Sequence, residues 1–215
     1  MKKVFFVVLL VIITACNNKS KEVKVESSEV NTKEKQEKAE IFLSEATIPE
    51  SSKWFKNEIS ISESSEIFND NYANLISRTS ADKSAYTGIS NIKVTNGSTY
   101  KLSVIVKKGN VGKNFALRMQ GVYPNRVDAV FDLETGLVKE TLISGTELAE
   151  NNKATMESLG GGWYKCSLYA DIFAEYMRIV FGPTTNKLKT GLWETRTGEL
   201  SNTIIVTKSL QLLEL

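Results

Sequence analysis

From about Pro49 to the end of the chain, short alternating segments follow one another, and no amphipathic helix pattern appears. In each segment apolar side chains occupy every second position, which places them on one face of a strand. Gly, Asn, Asp and Ser separate the segments, at a spacing of roughly 8–12 residues that is typical of sandwiches and barrels. We therefore predict an all-β domain over residues 49–215, a two-sheet antiparallel β-sandwich. The predicted strands are Glu58–Ser62, Tyr72–Thr79, Tyr86–Val94, Thr99–Lys107, Phe115–Val122, Val127–Leu133, Leu137–Ile143, Ala154–Ser158, Trp163–Ala170, Tyr176–Phe181 and Ile204–Leu213.

The same alternation predicts which side chains point into the sandwich. Apolar positions two residues apart share the inner face of their strand. Cys166 lies in such an apolar pattern, and we interpret it as a small buried core residue rather than a reactive thiol. The residues predicted for the core include Leu102, Val104, Leu117, Phe131 and Tyr164.

The segment Phe131–Val138 is the clearest hairpin of the chain. Gly136 supplies the positive φ that the turn requires, and Asp132 is predicted to cap the turn. Asp132 also lies four residues from Asp128, and four strand residues span roughly 13 Å. The two carboxylates of a glycosidase lie about 5–9.5 Å apart, so this pair does not predict a hydrolase.

The N-terminus has the form of a bacterial lipoprotein signal. Lys2 and Lys3 precede an apolar run from Val4 to Ile13. This run is too short to span a bilayer, which needs about 20 apolar residues, and it fits a secretory signal of roughly 7–15. The stretch Ile13–Cys16 resembles a lipobox, which implies that residues 1–15 are removed and that acyl chains on Cys16 anchor the protein. The alternative is an ordinary secretory signal with a chance cysteine.

Residues 16–48 are predicted to be a charged, flexible tether between the lipid and the sandwich. Six lysines and six glutamates lie between Lys19 and Glu40, and few apolar residues interrupt them. Such a segment buries too little apolar surface to offset its chain entropy. Residues 33–46 favour helix, so we predict transient helical structure there within a largely disordered spacer.

Composition excludes several kinds of chemistry. The chain has no histidine, which excludes histidine bases, catalytic triads and histidine metal ligands. Gly160–Gly162 precede Trp163 and a strand, so they do not form a phosphate-binding loop. The net charge is +2 without a concentrated basic patch, which argues against a nucleic-acid partner. We therefore expect no enzyme activity, no cofactor and no bound metal.

Four stretches stand in a characteristic order, and they are Thr99–Gly109, Phe131–Val138, Gly161–Ser167 and Leu210–Glu214. Together they resemble a family of jelly-roll carbohydrate-binding-module-like domains, similar to domains of phage tail spikes and bacterial surface proteins. The resemblance covers about Trp54–Leu215. It implies a two-sheet jelly roll that binds glycans or serves as an assembly module, and it does not imply catalysis. Related modules often hold a structural calcium, but this chain has no clustered Asp, Asn and Glu loop for one.

The outward positions of the central strands predict a ligand site. If Gly121–Val127 connects two strands, Gln120 falls opposite Asp128 and Arg118 lies one pair further along. These three side chains would form a polar stripe away from the core, and Arg178 occupies the same kind of position. Arginine, glutamine and aspartate suit sugar hydroxyls because they offer donors and acceptors in fixed geometry. The alternative is a solvated sheet face whose surface ion pairs contribute little.

Aromatic residues complete the prediction. Tyr123 and Trp193 lie in loop-like stretches and would stack on the C–H faces of a sugar, whereas Trp163 is predicted to pack and Trp54 to cover the sandwich edge. We predict a lipid-anchored glycan-binding protein of the cell envelope, facing the periplasm or the cell exterior, with a polysaccharide partner. The alternative is a protein interaction or assembly module of the phage-fibre type.

Overall fold

The computed structural model describes residues 38–42, 54–145, 152–184 and 203–215 of the chain. These ranges contain fourteen strands and no helix, and the strands form two antiparallel sheets. The predicted all-β, two-sheet antiparallel sandwich is therefore confirmed. The predicted signal peptide and Cys16 lie outside the described residues. The strands are β1 (Lys38–Phe42), β2 (Trp54–Asn57), β3 (Ile59–Phe68), β4 (Asn71–Arg78), β5 (Tyr86–Lys93), β6 (Ser98–Lys108), β7 (Asn114–Gln120), β8 (Arg126–Asp132), β9 (Leu137–Ser144), β10 (Lys153–Gly160), β11 (Trp163–Ile172), β12 (Tyr176–Thr184), β13 (Thr203–Val206) and β14 (Gln211–Glu214).

The first sheet is built around the long strand β6. Strand β11 pairs with β6 along its length, and β10 pairs with the other edge of β11. On the opposite edge of β6, β14 pairs with one part of the strand and β13 with another. Strand β1 pairs with the outer edge of β14, and β4 and then β3 follow β13. The second sheet has the order β2-β5-β12-β7-β8-β9 among the described strands. Strands β5, β12, β7 and β8 therefore each have a neighbour on both sides.

The core lies between the two sheets and is formed by the alternating apolar positions. Aromatic rings run through it, with Phe115 stacked 6.1 Å from Phe131 and Trp54 edge-on 5.7 Å from Phe181. Full burial of a side chain of this kind contributes about 1.5–3 kcal/mol. Of the predicted core residues, Tyr164 is only half-buried against the same cluster. Leu102, Val104, Leu117 and Phe131 are fully buried, as predicted.

The two described tryptophans are structural. Trp54 is buried at the start of β2, as expected for a residue that covers the sandwich edge. Trp163 faces outward from the first sheet, yet it is buried against Phe68, with ring centroids 5.1 Å apart, and under the ammonium group of Lys107. Cys166 is fully buried between the sheets, and burial raises the pKa of its thiol well above the usual value. The prediction that Cys166 is a core residue is confirmed.

Two strand predictions differ from the structure for identifiable reasons. Strand β3 continues beyond the predicted end at Ser62 to Phe68, because the hairpin with β4 maintains its pairing through a polar stretch with an irregular register. The single predicted strand 204–213 is two strands, β13 and β14. Between them, the Thr207 hydroxyl donates to the Ile105 carbonyl oxygen and the Ser209 hydroxyl accepts from the Ile105 N–H. The Thr207 N–H also donates to the Ile105 carbonyl oxygen, so side chains and backbone together bond Ile105 at the point where the chain bends.

The hairpin turn between β8 and β9 forms as predicted. The Oδ1 atom of Asp132 accepts hydrogen bonds from the backbone N–H groups of Glu134 and Thr135, at 3.0 and 3.2 Å. Burial by itself would raise the pKa of Asp132, but these bonds and the ammonium group of Lys113 lower it overall. Gly136 has a φ of 73°, which a residue with a side chain adopts only under strain.

Strand β1 lies within the segment predicted to be a tether. Its backbone pairs antiparallel with β14, with Glu40 opposite Leu213 and Phe42 opposite Gln211. The prediction of transient helix is therefore wrong for Lys38–Phe42. The exposed edge of β14 accounts for the difference, since an unpaired strand edge offers backbone donors and acceptors that outweigh weak local helix propensity. The remainder of the predicted tether lies outside the described residues.

Candidate ligand-binding groove

The polar stripe predicted on the second sheet exists, but its register differs from the prediction. Arg118 lies opposite Asp128, and Gln120 lies opposite Arg126 rather than Asp128. The connection between β7 and β8 is shorter than predicted, because the Asn125 N–H donates to the Val122 carbonyl oxygen in a tight turn. Strand β8 consequently begins at Arg126, and every pairing moves by two residues.

A shared carboxylate joins two of these arginines beneath the surface. The Nε atom of Arg118 lies 2.6 Å from Oδ1 of Asp128, and the Nε atom of Arg126 lies 3.2 Å from Oδ2. Arg118 is only 5% exposed and Asp128 is 0% exposed. The alternative of a solvated sheet face with weak surface pairs is therefore wrong for these residues. Removing one partner of such a buried ion pair leaves the other charge buried without it. The free energy of unfolding then falls substantially.

A cavity of about 230 Å³ opens above this stripe on the outer face of the second sheet, and we call it the outer groove. Four of the predicted binding residues line it together, although they come from two separate parts of the chain. Asp128 lies beneath the groove through its bonds to Arg118 and Arg126. Trp193 lies outside the described residues. The lining residues are Ser84, Tyr86, Arg118, Gln120, Tyr123, Arg126, Arg178 and Val180.

Strand order brings Arg178 to the groove. Arg178 on β12 lies opposite Gln120 on β7, which lies opposite Arg126 on β8, so the three form one row across the sheet. The guanidinium carbon of Arg178 lies 4.3 Å from the ring centroid of Phe55 and 5.6 Å from that of Tyr86. Its Nε atom is buried and has no hydrogen-bond partner among the described residues. The cation is thus held by rings rather than by an acid.

Tyr123 stands at the rim of the groove. It lies in the loop between β7 and β8 and is 71% exposed. Its ring centroid lies 5.8 Å from the guanidinium carbon of Arg126, which positions the ring beside the polar row. A largely exposed tyrosine ring next to hydrogen-bonding groups presents an apolar face to a ligand at the edge of the site.

Sequence reasoning missed Arg126, Phe55 and Tyr86. Alternation along the strand predicts Arg126 as a site residue, because it lies two residues before Asp128 and therefore shares its face of the strand. Phe55 and Tyr86 belong to β2 and β5, whose pairing beside β12 depends on the whole sheet. A Cβ atom added to Gly88 of β5 would overlap the Ile179 carbonyl oxygen of β12 and lie 2.8 Å from the Phe55 ring, so glycine permits the close approach of both.

The groove offers binding chemistry rather than acid–base chemistry in the residues described. Its lining includes guanidinium, amide and phenol groups, and the adjoining carboxylate of Asp128 is bound to two arginines. Among the same residues, no group of three His, Cys, Asp or Glu side chains is placed to hold a metal ion. The described part of the chain also has no helix long and apolar enough to cross a membrane.

The chain matches no protein-family model, and a search of curated proteins also finds no match.

Proposed function

We propose that the protein is a lipid-anchored, extracytoplasmic glycan-binding protein of the cell envelope and that the outer groove holds the sugar. The observation that carries the proposal is the convergence of Arg118, Gln120, Tyr123 and Arg178 on one cavity. Their side chains provide the hydrogen-bonding and aromatic groups that suit sugar binding. The lipobox-like stretch ending at Cys16 supports the location.

The shape of the polar row suits an extended sugar chain. Arg178, Gln120 and Arg126 lie on three neighbouring strands, so their Cα atoms span two interstrand steps, or roughly 10 Å. This span is sufficient for two linked sugar residues. Guanidinium groups donate to hydroxyl and ring oxygens, and the amide of Gln120 both donates and accepts. Tyr123 provides an apolar ring at the rim for the C–H face of a sugar.

Replacing Tyr123 with alanine tests the groove. We expect Tyr123→Ala to weaken glycan binding about two- to tenfold, the loss that corresponds to roughly 0.5–1.5 kcal/mol of aromatic contact. The matched control is Tyr72→Ala, because Tyr72 is also an exposed tyrosine but lies on β4 of the other sheet. The measurement is the affinity of the full chain, purified in detergent, for glycans identified on an array of neutral and acidic sugars. Failure to bind any glycan on the array contradicts the proposal and favours the assembly module.

Replacing Cys16 tests the anchor. We expect Cys16→Ser to abolish incorporation of labelled palmitate and to release the protein from the membrane fraction, because the ten-residue apolar run is too short to span a bilayer. Cys166→Ala is the matched control, since it removes the other cysteine of the chain, which is buried in the core. Unchanged palmitate incorporation in Cys16→Ser would show that the protein is not a lipoprotein modified at this residue.

A further inference from the structure

Arg178 differs from the other arginines of the outer groove in the partners it has. Arg118 and Arg126 share the carboxylate of Asp128, whereas Arg178 forms no ion pair with any described carboxylate. It nevertheless lines the groove, and its Nε atom is buried without an acceptor. Partial removal of a cation from water is unfavourable unless an opposite charge or a hydrogen-bond acceptor offsets it. The Arg178 guanidinium therefore has no counter-charge among the described residues.

Two aromatic rings hold the Arg178 guanidinium in place. Phe55 and Tyr86 both lie within cation–π distance of it, and the rings contact each other edge to face with centroids 6.0 Å apart. A guanidinium is attracted to the faces of aromatic rings, and contact with two rings restricts its motion. The group is thus oriented before any ligand arrives, which reduces the entropy lost on binding.

The sheet keeps Asp128 from serving as the partner of Arg178. Strand β7 separates β12 from β8, so the backbones that carry the two residues are roughly 10 Å apart. Both carboxylate oxygens of Asp128 are already bound by other arginines. Three arginines thus line the described groove, and none of its lining residues is acidic. An excess of one charge in a concave surface attracts ligands of the opposite charge.

We propose that the outer groove binds an acidic glycan and that Arg178 binds its carboxylate or sulfate group. This inference rests on the proposed glycan binding and specifies the class of sugar. A neutral sugar leaves the Arg178 cation without a counter-charge. A carboxylate or sulfate accepts hydrogen bonds from a guanidinium, and such charge-assisted bonds are about twice as strong as neutral ones. Gln120, opposite Arg178 in the sheet, then forms a hydrogen bond with a neighbouring hydroxyl of the sugar.

Two matched pairs of ligands test the requirement for negative charge, using the full chain in detergent. Oligogalacturonate is compared with its methyl ester, and dextran sulfate with dextran, so that each pair differs in the anionic group. We expect at least one acidic member to bind about ten- to a hundredfold more tightly than its neutral partner. Preference within the first pair identifies a carboxylate as the bound group, and preference within the second identifies a sulfate.

Substitutions test whether Arg178 is responsible. We expect Arg178→Leu to lose the tenfold or greater preference for the acidic ligand, and Arg178→Lys to retain part of it, because lysine keeps the charge without the planar fork. Lys101→Leu is the matched control. Lys101 is also a cation over an aromatic ring, 5.6 Å from the Tyr169 centroid, but it lies on β6 of the other sheet. We expect Lys101→Leu to bind as the unchanged protein does.

The outcomes separate this inference from the proposed function. Equal affinity for both members of each pair, or no binding to either acidic ligand, overturns the inference, and binding to neutral glycans on the array then still supports the function. An array without any bound glycan overturns both. Equal loss of binding in Arg178→Leu and Lys101→Leu shows non-specific attraction of a polyanion and also overturns the inference. If Arg178→Leu does not fold, as judged from its melting temperature, the ligand pairs and Arg178→Lys decide the question.

Discussion

Truncation of Phe131 to alanine is expected to lower the free energy of unfolding by about 3–5 kcal/mol. Phe131 on β8 is completely buried between the two sheets, and its ring stacks on Phe115. Removing it loses apolar burial and leaves a cavity that neighbouring strands, fixed in their ladders, fill only in part. Chemical denaturation of the full chain and of the variant provides the measurement. The expected loss is a large part of a typical domain stability of roughly 5–15 kcal/mol.

Leu137→Ala is the control for this prediction. Leu137 lies opposite Asp132 in the neighbouring strand β9, but it is 63% exposed. A substitution at such a surface position changes stability by about 0.5 kcal/mol or less. A loss below about 1 kcal/mol for Phe131→Ala, similar to that of the control, would contradict the inward orientation of Phe131.

Replacement of Asp128 by alanine is also expected to cost about 3–5 kcal/mol. Asp128 is buried, and its carboxylate is shared by the guanidinium groups of Arg118 and Arg126. Without it, two positive charges remain close together in a site with little access to water, and they lose the carboxylate that offsets their repulsion and desolvation. The free energy of unfolding of Asp128→Ala, measured by denaturant titration, checks this expectation.

A surface ion pair and a double substitution are the controls. Lys83 pairs with Glu58 at 3.0 Å, but its side chain is largely exposed, so Lys83→Ala should cost no more than about 1 kcal/mol. Replacing Arg118 and Asp128 together by methionine and leucine should cost less than Asp128→Ala, since no charge of that pair is then left alone. A double substitution that costs the sum of its single substitutions would show that the two residues do not act as a pair.

In the outer groove, alternation along a strand predicts the face on which a side chain lies but not its partner on the next strand. Because side chains alternate between faces, the outward direction of Arg118, Gln120, Asp128 and Arg178 follows from their positions in each strand. The register between strands does not follow in the same way. It depends on the turn at residues 121–125, and an error there placed Gln120 opposite Asp128 instead of Arg126. Such an error moves pairings by two residues but leaves every side chain on its correct face.

By itself, the sequence determined the all-β class, the core positions Leu102, Val104, Leu117 and Phe131, and the capped turn at Asp132. These features are local, because alternation and turn chemistry act over a few neighbouring residues. Only the tertiary structure decided that β2 and β5 pack beside β12, which brings Phe55 and Tyr86 onto Arg178. It also decided that the Arg118–Asp128 pair is buried. Both depend on contacts between distant parts of the chain, since the energy of a charge is set by what surrounds it in space.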